Sequence, residues 1–264
     1  MKKIILTGGD GFIGGRIYDF LLANDELEVE LIDKKYYEDS DWIPKLDQLV
    51  QSVDIILHVG ANANTLNNDV NYVMYYNYYI SKVLFDIASK HNKDVVYSSS
   101  AACEGVQGYP SNLYAWSKYC SEQYGLKNNK RFIALRYFNV YGPGEEHKKN
   151  MSSVAYQAFQ EKEFMLFPNN PKRDFVYIDD VVSATTFSIF NNVESGIYHV
   201  GSGTSKTFED VLDLMNVPYS YTDKSKIPDG YQFNTKADKN LFQPGWKPSF
   251  SLEKGIEKYK EYLK

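Results

Sequence analysis

The chain has 264 residues, 43% hydrophobic and 24% charged, which are the proportions of a soluble globular protein of one large or two small domains. Its net charge of -5 excludes a global basic field for nucleic acid or anionic lipid, so a phosphate site would have to be built locally. Two cysteines are too few for a disulfide framework, and no apolar run approaches the ~20 residues of a membrane span. These features predict a cytoplasmic protein without a nucleic-acid or membrane partner.

The first apolar run, residues 3–6, ends in a glycine-rich turn. Gly8, Gly11 and Gly14 lie in this turn, and an amphipathic helical pattern follows over residues 12–23. Glycines let the backbone turn sharply and approach a pyrophosphate, which then lies at the N-terminus of the helix. The alternative is a simple turn between strand and helix, but its place after the first strand favours a dinucleotide site.

The second predicted strand, residues 28–33, ends in Asp33. This position lies 19 residues after the third glycine, where an acid accepts the ribose hydroxyls of the adenosine half of a dinucleotide. Lys34 and Lys35 follow at once and could hold a 2′-phosphate or be ordinary solvated charges, so the sequence allows both NAD and NADP. The next buried strand, residues 53–61, follows after a short interval, which indicates that one strand–helix unit is trimmed.

Two tyrosines are followed by a lysine four residues later, Tyr78 by Lys82 and Tyr114 by Lys118. On a helix such residues lie on one face, where the ammonium favours the phenolate, lowers the pKa of the phenol and prepares it to take a proton from an alcohol. Spacing alone does not separate the pairs, since the chain has 23 tyrosines. Tyr78 and Lys82 fall inside a predicted helix over residues 69–92 and are interpreted as packing and surface residues.

A strand that ends in serines comes shortly before the second pair. This strand, residues 93–97, leads into three serines, of which Ser100 is the last. Ligands of a doubly wound sheet bind beyond the carboxyl ends of its strands, although serines there can also simply complete a turn. Because Tyr114 opens the next helix 14 residues after Ser100, we expect Ser100, Tyr114 and Lys118 in one pocket.

The second half of the chain changes pattern after Gly142-Pro143, which follows a strand predicted over residues 131–136. The elements predicted beyond this point are a helix over 151–161, a strand over 173–178, a helix over 179–190, a late sheet strand over 196–201, and helices over 208–216 and 252–263.

These motifs occur in an order that resembles extended short-chain dehydrogenases/reductases of the nucleotide-sugar type, over nearly the whole chain. The matching segments are residues 7–14, Asp33, residues 98–101, Tyr114 with Lys118, and residues 136–143, which read Arg-Tyr-Phe-Asn-Val-Tyr-Gly-Pro. Within the family, the pattern is most similar to that of the ADP-L-glycero-D-manno-heptose 6-epimerases. This closer resemblance is carried by residues 147–148, 151–155, 172–177 and 230–238.

The chain departs from those epimerases in its loops. It is shorter after Asp33 and between Ser100 and Tyr114, and Glu104-Gly105 stands where the family has Tyr-Gly. The shortened loop would open the pocket or alter the sugar that it accepts. The chain also lacks the Thr-Asp-Glu stretch of sugar 4,6-dehydratases, which argues against elimination chemistry.

The resemblance implies an α/β fold: a Rossmann doubly wound parallel sheet with a smaller C-terminal substrate domain. It places residues 1–143 and about 174–201 in the NAD(P)-binding domain. The remaining segments, about 144–173 and 202–264, would form a discontinuous substrate-binding domain.

The resemblance also implies redox epimerisation of a nucleotide-diphospho-sugar, an ADP- or GDP-heptose-like sugar, through a transient keto intermediate. Tyr114 would take the hydroxyl proton, Lys118 would lower its pKa and hold the nicotinamide ribose, and Ser100 would bond the reacting oxygen. The opposite face of the sugar calls for a second proton donor. Lys148 is the candidate and Lys149 the alternative register, although both could be solvated loop residues.

One tightly bound NAD or NADP per subunit is implied, with no metal. The Arg173 guanidinium suits a diphosphate, unless it forms a surface ion pair with Asp174 or Asp179. The implied cofactor contacts are Gly8, Gly11, Phe12, Ile13, Gly14, Asp33, Lys34, Gly60, Ala61, Asn77, Tyr114 and Lys118. The implied substrate contacts are Ser100, Asn139, His147, Lys148, Ser153, Arg173 and Tyr231.

Two other functions fit the same residues: an NAD(P)H-dependent reductase of nucleotide-ketosugars, and a non-catalytic NAD(P)-sensing module. Members of the family usually dimerise through two helices, here residues 69–92 and 112–128. A stripe of tyrosines on the first of these helices suits such an interface, and the homodimer is therefore expected to use Tyr72, Tyr75, Tyr76 and Tyr79.

Overall fold

The computed structural model describes residues 1–105, 108–161, 163–227 and 231–264, without the side chains of residues 149 and 150. Two positions named above therefore lie outside the described residues: Gly230 of the epimerase pattern and the side chain of Lys149. In the described ranges, no helix has both the length and the apolar character needed to cross a bilayer.

Strands and helices alternate through the first half of the chain. The strands are β1 (Lys2–Thr7), β2 (Leu27–Ile32), β3 (Ile55–His58), β4 (Asp94–Ser100), β5 (Phe132–Tyr137), β6 (Asn139–Tyr141), β7 (Phe164–Leu166), β8 (Lys172–Tyr177), β9 (Gly196–Val200), β10 (Ser205–Thr207) and β11 (Tyr219–Tyr221). The helices are α1 (Phe12–Leu22), α2 (Trp42–Gln51), α3 (Val70–Met74), α4 (Ile80–Lys90), α5 (Leu113–Asn128), α6 (Val154–Gln160), α7 (Ile178–Phe190), α8 (Phe208–Met215) and α9 (Leu252–Leu263). A π-helical segment, Tyr75–Tyr79, joins α3 to α4 and makes the predicted helix over 69–92 nearly continuous.

A six-stranded parallel sheet forms the centre, in the order β2-β1-β3-β4-β5-β9. The order reverses at β1, as in a doubly wound dinucleotide fold, and this confirms the predicted fold class. Such a fold has a further strand beyond the second, whereas β2 here lies at the edge. Within residues 33–54, which are all described, α2 is the one α-helix between β2 and β3, and this agrees with the strand–helix unit expected to be trimmed after Asp33.

Apolar side chains cover both faces of this sheet. Successive residues of β1 point to opposite faces, so Ile4 packs with α1 and α7, and Ile5 packs with α2 and α4. The first core continues into the C-terminal part of the chain, where it includes Leu212 and Tyr259. With both faces covered by helices, the carboxyl ends of the strands remain as the open edge.

Two small sheets lie beyond the carboxyl ends. One has the order β10-β8-β6 and the other pairs β11 with β7. β6 and β8 belong to the predicted NAD(P)-binding segments and β10 to the predicted substrate segments, so the two parts share a sheet. The division into domains at about residue 143 stays a prediction.

Candidate active site

A cavity of about 1310 Å³ lies at the carboxyl ends of the central strands. Pockets for one small ligand usually measure ~300–1,000 Å³, so this one has room for two ligands side by side. Most of the predicted site residues line it. They are Gly8, Gly11, Phe12, Ile13, Gly14, Lys34, Gly60, Ala61, Ser100, Tyr114, Lys118, Asn139, His147, Lys148, Ser153, Arg173 and Tyr231.

The glycine turn after β1 forms one end of the cavity. Gly8 has a φ of +74°, and a Cβ there would lie 2.5 Å from the Cα of Gly60. A Cβ on Gly14 would lie 1.9 Å from the carbonyl oxygen of Gly8, so the turn closes only with glycine at both places. Gly11 precedes α1 without a side-chain cap, which leaves backbone N–H groups of the helix N-terminus for a ligand. This cradle fits the pyrophosphate of a dinucleotide.

Asp33 follows β2 between two residues that line the cavity, Ile32 and Lys34. Its carboxylate accepts a hydrogen bond from the backbone N–H of Asp10 at 3.3 Å. Burial, and then the charge of Asp10, raise the pKa of the Asp33 carboxyl. A ribose hydroxyl that donates a hydrogen bond to this carboxylate would lower its pKa, so such a ligand suits the position.

Lys34 is held by two tyrosines of the predicted interface stripe. Its Nζ donates to the Tyr72 hydroxyl at 3.3 Å and lies 5.5 Å from the ring centroid of Tyr72 and 5.0 Å from that of Tyr76. The hydrogen bond to Tyr72 raises the pKa of Lys34. Of the four tyrosines expected at a subunit interface, Tyr72 and Tyr76 line the cavity, while Tyr75 and Tyr79 are exposed. Their place in an interface stays a prediction.

Ser100, at the end of β4, and Tyr114 and Lys118, on α5, all line the wall of the cavity. Lys118 is buried, and its Nζ donates to the Ser98 carbonyl oxygen at 2.5 Å and lies 4.5 Å from the ring centroid of Tyr97. Burial lowers the pKa of the Lys118 ammonium to about 8. The ammonium is thus directed at the end of the strand.

The Tyr114 phenol does not have the lowered pKa expected from its spacing to Lys118. Burial raises the pKa of Tyr114 to about 12, and a hydrogen bond with Ser100 acts in the opposite direction. The expectation is wrong for the protein alone, because loss of water around the phenol outweighs the effect of its neighbours. Ionisation of Tyr114 therefore depends on charge that a ligand brings.

Asn77 does not line the cavity, although a cofactor contact was implied for it. Its side chain accepts from the backbone N–H of Asn62 at 2.7 Å and donates to the carbonyl oxygen of Asn62 and to the Ser117 hydroxyl, both at 3.0 Å. Asn62 itself is on the cavity wall. Asn77 therefore supports the loop after β3 from beneath.

Lys148 lies on the loop between β6 and α6, across from the turn at α1. Its Nζ is 5.1 Å from the ring centroid of Phe12, and its half-buried position lowers the pKa of the ammonium. His147 beside it is exposed on the cavity wall. Ser153 ends the loop, but its hydroxyl already donates to Glu145 at 2.7 Å and accepts from the backbone N–H of Tyr156 at 3.2 Å.

Arg173 occupies the far end of the cavity, between two aromatic rings. Its guanidinium carbon lies 5.6 Å from the ring centroid of Phe208 and 5.2 Å from that of Tyr231. Neither acid weighed as an ion-pair partner is bound to it, since Asp174 accepts backbone N–H groups and Asp179 pairs with Lys258 and Arg16. Burial lowers the pKa of Arg173, which an anionic ligand would offset.

Among the residues that the sequence analysis did not assign to the site are Tyr76 and Phe208, which line the cavity, and Glu145, which lies behind it. Tyr76 follows Tyr72 by four residues, a helical spacing that could have placed both beside Lys34. Phe208 carried no such signal, because only the folded chain brings it to Arg173. Glu145 lies three residues before Lys148, but its burial and its bond to Tyr259 are apparent only in the folded chain.

Comparison with known proteins agrees with this geometry. Residues 4–201 match the model of the NAD dependent epimerase/dehydratase family. The ADP-L-glycero-D-manno-heptose-6-epimerase of Brachyspira hyodysenteriae is 34% identical over 309 residues, covering 98% of this chain and 97% of that protein. The enzyme of the same name from Cupriavidus pinatubonensis is 30% identical and covers 98% of both chains.

A solved structure is similar over the same span. The ADP-L-glycero-D-manno-heptose-6-epimerase of Helicobacter pylori superposes with a TM-score of 0.85 at 25% identity, covering 99% of this chain and 96% of that one. The alignment with the Brachyspira protein extends over 309 positions, more than the 264 residues of this chain, so this chain is shorter than that relative. The places of the shortening stay a prediction. The expected enzyme class, an NAD-dependent nucleotide-sugar epimerase, is confirmed. The chain belongs to the NAD dependent epimerase/dehydratase family.

Proposed function

We propose that the chain interconverts two epimers of a nucleotide-diphospho-sugar of the ADP-heptose type through a transient ketone. The observation that carries this proposal is that Tyr114 and Lys148 line the same cavity from different elements, α5 and the loop before α6. Two proton-transferring groups suit a reaction that takes place on both faces of one carbon. The names of the relatives support the sugar class.

The residues present fit NAD at the glycine end of the cavity. Gly8, Gly11 and Gly14 would cradle the pyrophosphate, and Asp33 would accept the ribose hydroxyls. Bound NAD supplies a hydride acceptor and a positive ring charge that favours a nearby phenolate. Lys34 keeps NADP as the alternative, since its ammonium beside Asp33 also suits a 2′-phosphate. The cofactor ends each cycle as it began, so we expect it to stay bound, one per subunit.

Tyr114 handles the proton on one face of the sugar. Its phenol shares a hydrogen bond with Ser100, which bonds the reacting oxygen and helps to hold the phenolate. Lys118 is fixed by Ser98 at the wall of the cavity, where its ammonium would bond the ribose of the bound cofactor. The phenolate takes the hydroxyl proton as the carbon loses hydride.

Lys148 handles the proton on the other face. Burial lowers its pKa, which brings an ammonium closer to the range in which it exchanges protons at neutral pH. Arg173 and Tyr231 would hold the diphosphate and nucleotide, with Asn139 and His147 on the wall between. The ketone, held by its diphosphate, then presents its other face.

The quaternary structure and compartment are part of the proposal. Tyr75, Tyr79 and Trp116 are exposed on neighbouring helices, at 37%, 43% and 43%. These aromatic side chains suit a homodimer interface formed by the segment 70–90 and α5. A monomeric mass in solution at micromolar concentration would contradict the dimer. We place the protein in the cytoplasm on its low cysteine content.

A cofactor and substrate assay tests the proposal. The cofactor is released by denaturing the purified protein and identified by mass spectrometry, and fresh enzyme is then incubated with ADP-, GDP- and UDP-sugars. Epimer formation without net change of the cofactor supports epimerisation. Net consumption of reduced cofactor supports the reductase instead, and cofactor binding without turnover of any sugar supports the sensing module.

Replacement of Lys148 by alanine tests whether this residue transfers the proton on the second face of the sugar. In single turnovers, reduction of the bound cofactor should slow by about 100-fold or more for one epimer, while the epimer served by Tyr114 reacts nearly as fast as before. The absorbance of the reduced nicotinamide measures both rates. Full activity of Lys148→Ala on both epimers would contradict a reaction with two proton-transferring groups.

A further inference from the structure

The loop that carries Lys148 is organised around a buried carboxylate, that of Glu145. The side chain of Glu145 is fully buried and accepts four hydrogen bonds. They come from the backbone N–H of Gly142 at 3.1 Å, the N–H of Ser153 at 2.5 Å, the hydroxyl of Ser153 at 2.7 Å and the hydroxyl of Tyr259 at 3.1 Å. Four donors compensate the loss of water around an ionised carboxylate.

These donors lie at both ends of the loop. Gly142 directly follows β6, and Ser153 directly precedes α6, so one carboxylate fixes the span between them. The fourth donor, the hydroxyl of Tyr259, comes from α9, and Tyr259 is itself fully buried. The carboxylate therefore ties the loop to the C-terminal helix as well as closing it on itself.

Lys148 is connected to Glu145 by its backbone and by charge. The backbone N–H of Lys148 donates to the carbonyl oxygen of Glu145 at 2.9 Å. Burial lowers the pKa of Lys148, and the negative charge of Glu145 acts in the opposite direction. A neutral side chain at position 145 would thus change both the place and the ionisation of the Lys148 ammonium.

We propose that Glu145 is a positioning residue for Lys148, which sets where and in which protonation state the second proton-transferring group meets the sugar. This inference rests on the proposed function. It concerns a residue that does not line the cavity and that acts only through the loop.

The first measurement is chemical labelling of Lys148 in Glu145→Gln. The amide keeps the volume of the carboxylate but has one acceptor oxygen and directs N–H groups at the remaining donors. Lysines are acylated with an amine-reactive reagent over a range of pH, and the peptide with Lys148 is quantified by mass spectrometry. Lys148 should react several-fold faster at neutral pH in Glu145→Gln. An unchanged labelling profile would overturn the proposal.

The second measurement is single-turnover reduction of the bound cofactor with each epimer. Glu145→Gln should slow the epimer that Lys148 serves by about tenfold or more and leave the other within about twofold. Equal slowing of both epimers shows a structural role only and overturns the proposal. If Lys148→Ala itself slows neither epimer, the proposed function fails, while the labelling still decides whether Glu145 controls Lys148.

Asp180→Asn is the matched control. Asp180 is also a buried carboxylate, and it accepts the backbone N–H groups of Ser249 and Phe250 at 2.7 and 3.0 Å, away from the cavity wall. Its replacement should lower stability without changing Lys148 labelling or the ratio of the two epimer rates. If Glu145→Gln does not fold, the same assays are applied to Tyr259→Phe, which removes one of the four donors to the Glu145 carboxylate. Wild-type labelling and rates in Tyr259→Phe would then overturn the proposal.

Discussion

The chain contains the same four-residue spacing of tyrosine and lysine twice, and its two copies lie in different surroundings. Lys82 is partly exposed, pairs with Asp86 at 2.7 Å, and lies 5.0 Å from the ring centroid of Tyr124. Tyr78 packs its ring edge-on against the same Tyr124. In the other copy, Lys118 is buried and donates to a strand end, and Tyr114 faces the cavity.

The difference shows that surroundings, and not spacing, decide what the two residue types do. The carboxylate of Asp86 raises the pKa of Lys82, whereas burial lowers that of Lys118 to about 8. An ammonium held by an exposed carboxylate has no effect on a distant ligand. Among the described residues, the Lys118 ammonium is held without a carboxylate partner, by the carbonyl oxygen and hydroxyl of Ser98 beside the Tyr97 ring, at the wall of the cavity.

The largest expected effect separates the two tyrosines. Tyr114→Phe removes the group that takes the proton and should lower kcat by about 100-fold or more, with the cofactor still bound. Tyr78→Phe is the matched control and should keep wild-type activity, since its ring packs without reaching the cavity. Steady-state epimerisation rates and cofactor content measure both variants. Comparable loss in Tyr78→Phe would remove the distinction between the pairs.

The second-largest expected effect distinguishes the two lysines. Lys118→Met removes a charge at the nicotinamide end and should lower kcat by about tenfold or more, with weaker retention of the cofactor. Lys82→Met breaks a surface ion pair and should cost less than about 1 kcal/mol of unfolding free energy, with activity unchanged. Urea denaturation and activity assays on the same preparations test this. The comparison fails if Lys82→Met loses the cofactor.

The smallest expected effect is a difference in how stability depends on pH. Lys118 has a folded-state pKa of about 8 against an ordinary 10.5, so between these values the unfolded chain binds more protons than the folded one. Its contribution to stability therefore rises with pH through this window. For Lys82, whose pKa is raised, stabilisation is present below 10.5 and is lost as pH rises through the folded value. From pH 8 to pH 10, wild type should gain stability relative to Lys118→Met, whereas its stability relative to Lys82→Met should stay nearly constant. Urea unfolding of the three proteins at both pH values measures these differences.

Much of the central sheet could be predicted from the sequence, because its strands are short apolar runs that end in glycine, acid or serine. β1, β3 and β4 are such runs, and each was predicted within a few residues. The three-residue strands β7 and β10 were not predicted, since so short a segment has no periodicity of its own and forms only when a partner strand is present.

The candidate site was predictable where its chemistry lies close in sequence, and less so where it depends on burial. Ser100, Tyr114 and Lys118 were predicted together and do line one cavity. The pKa of Tyr114 was not predictable, since it depends on how much water the fold removes from the phenol. The position of Asn77 beneath the wall likewise depends on the loop of Asn62, which has no sequence signature.

The loss of one edge strand has a consequence for the two ends of the cavity. β2 is paired on one side only, so half of its backbone N–H groups face away from β1, and the exposed acids Glu28 and Glu30 keep other strands from adding there. β4, which carries Ser100, is paired on both sides. We therefore expect amide hydrogens of β2 to exchange with solvent much sooner than those of β4. The backbone at the Asp33 end of the cavity is therefore expected to open locally more often than the backbone at the Ser100 end. In a dissociating dinucleotide, the adenosine half should lose its contacts before the nicotinamide half.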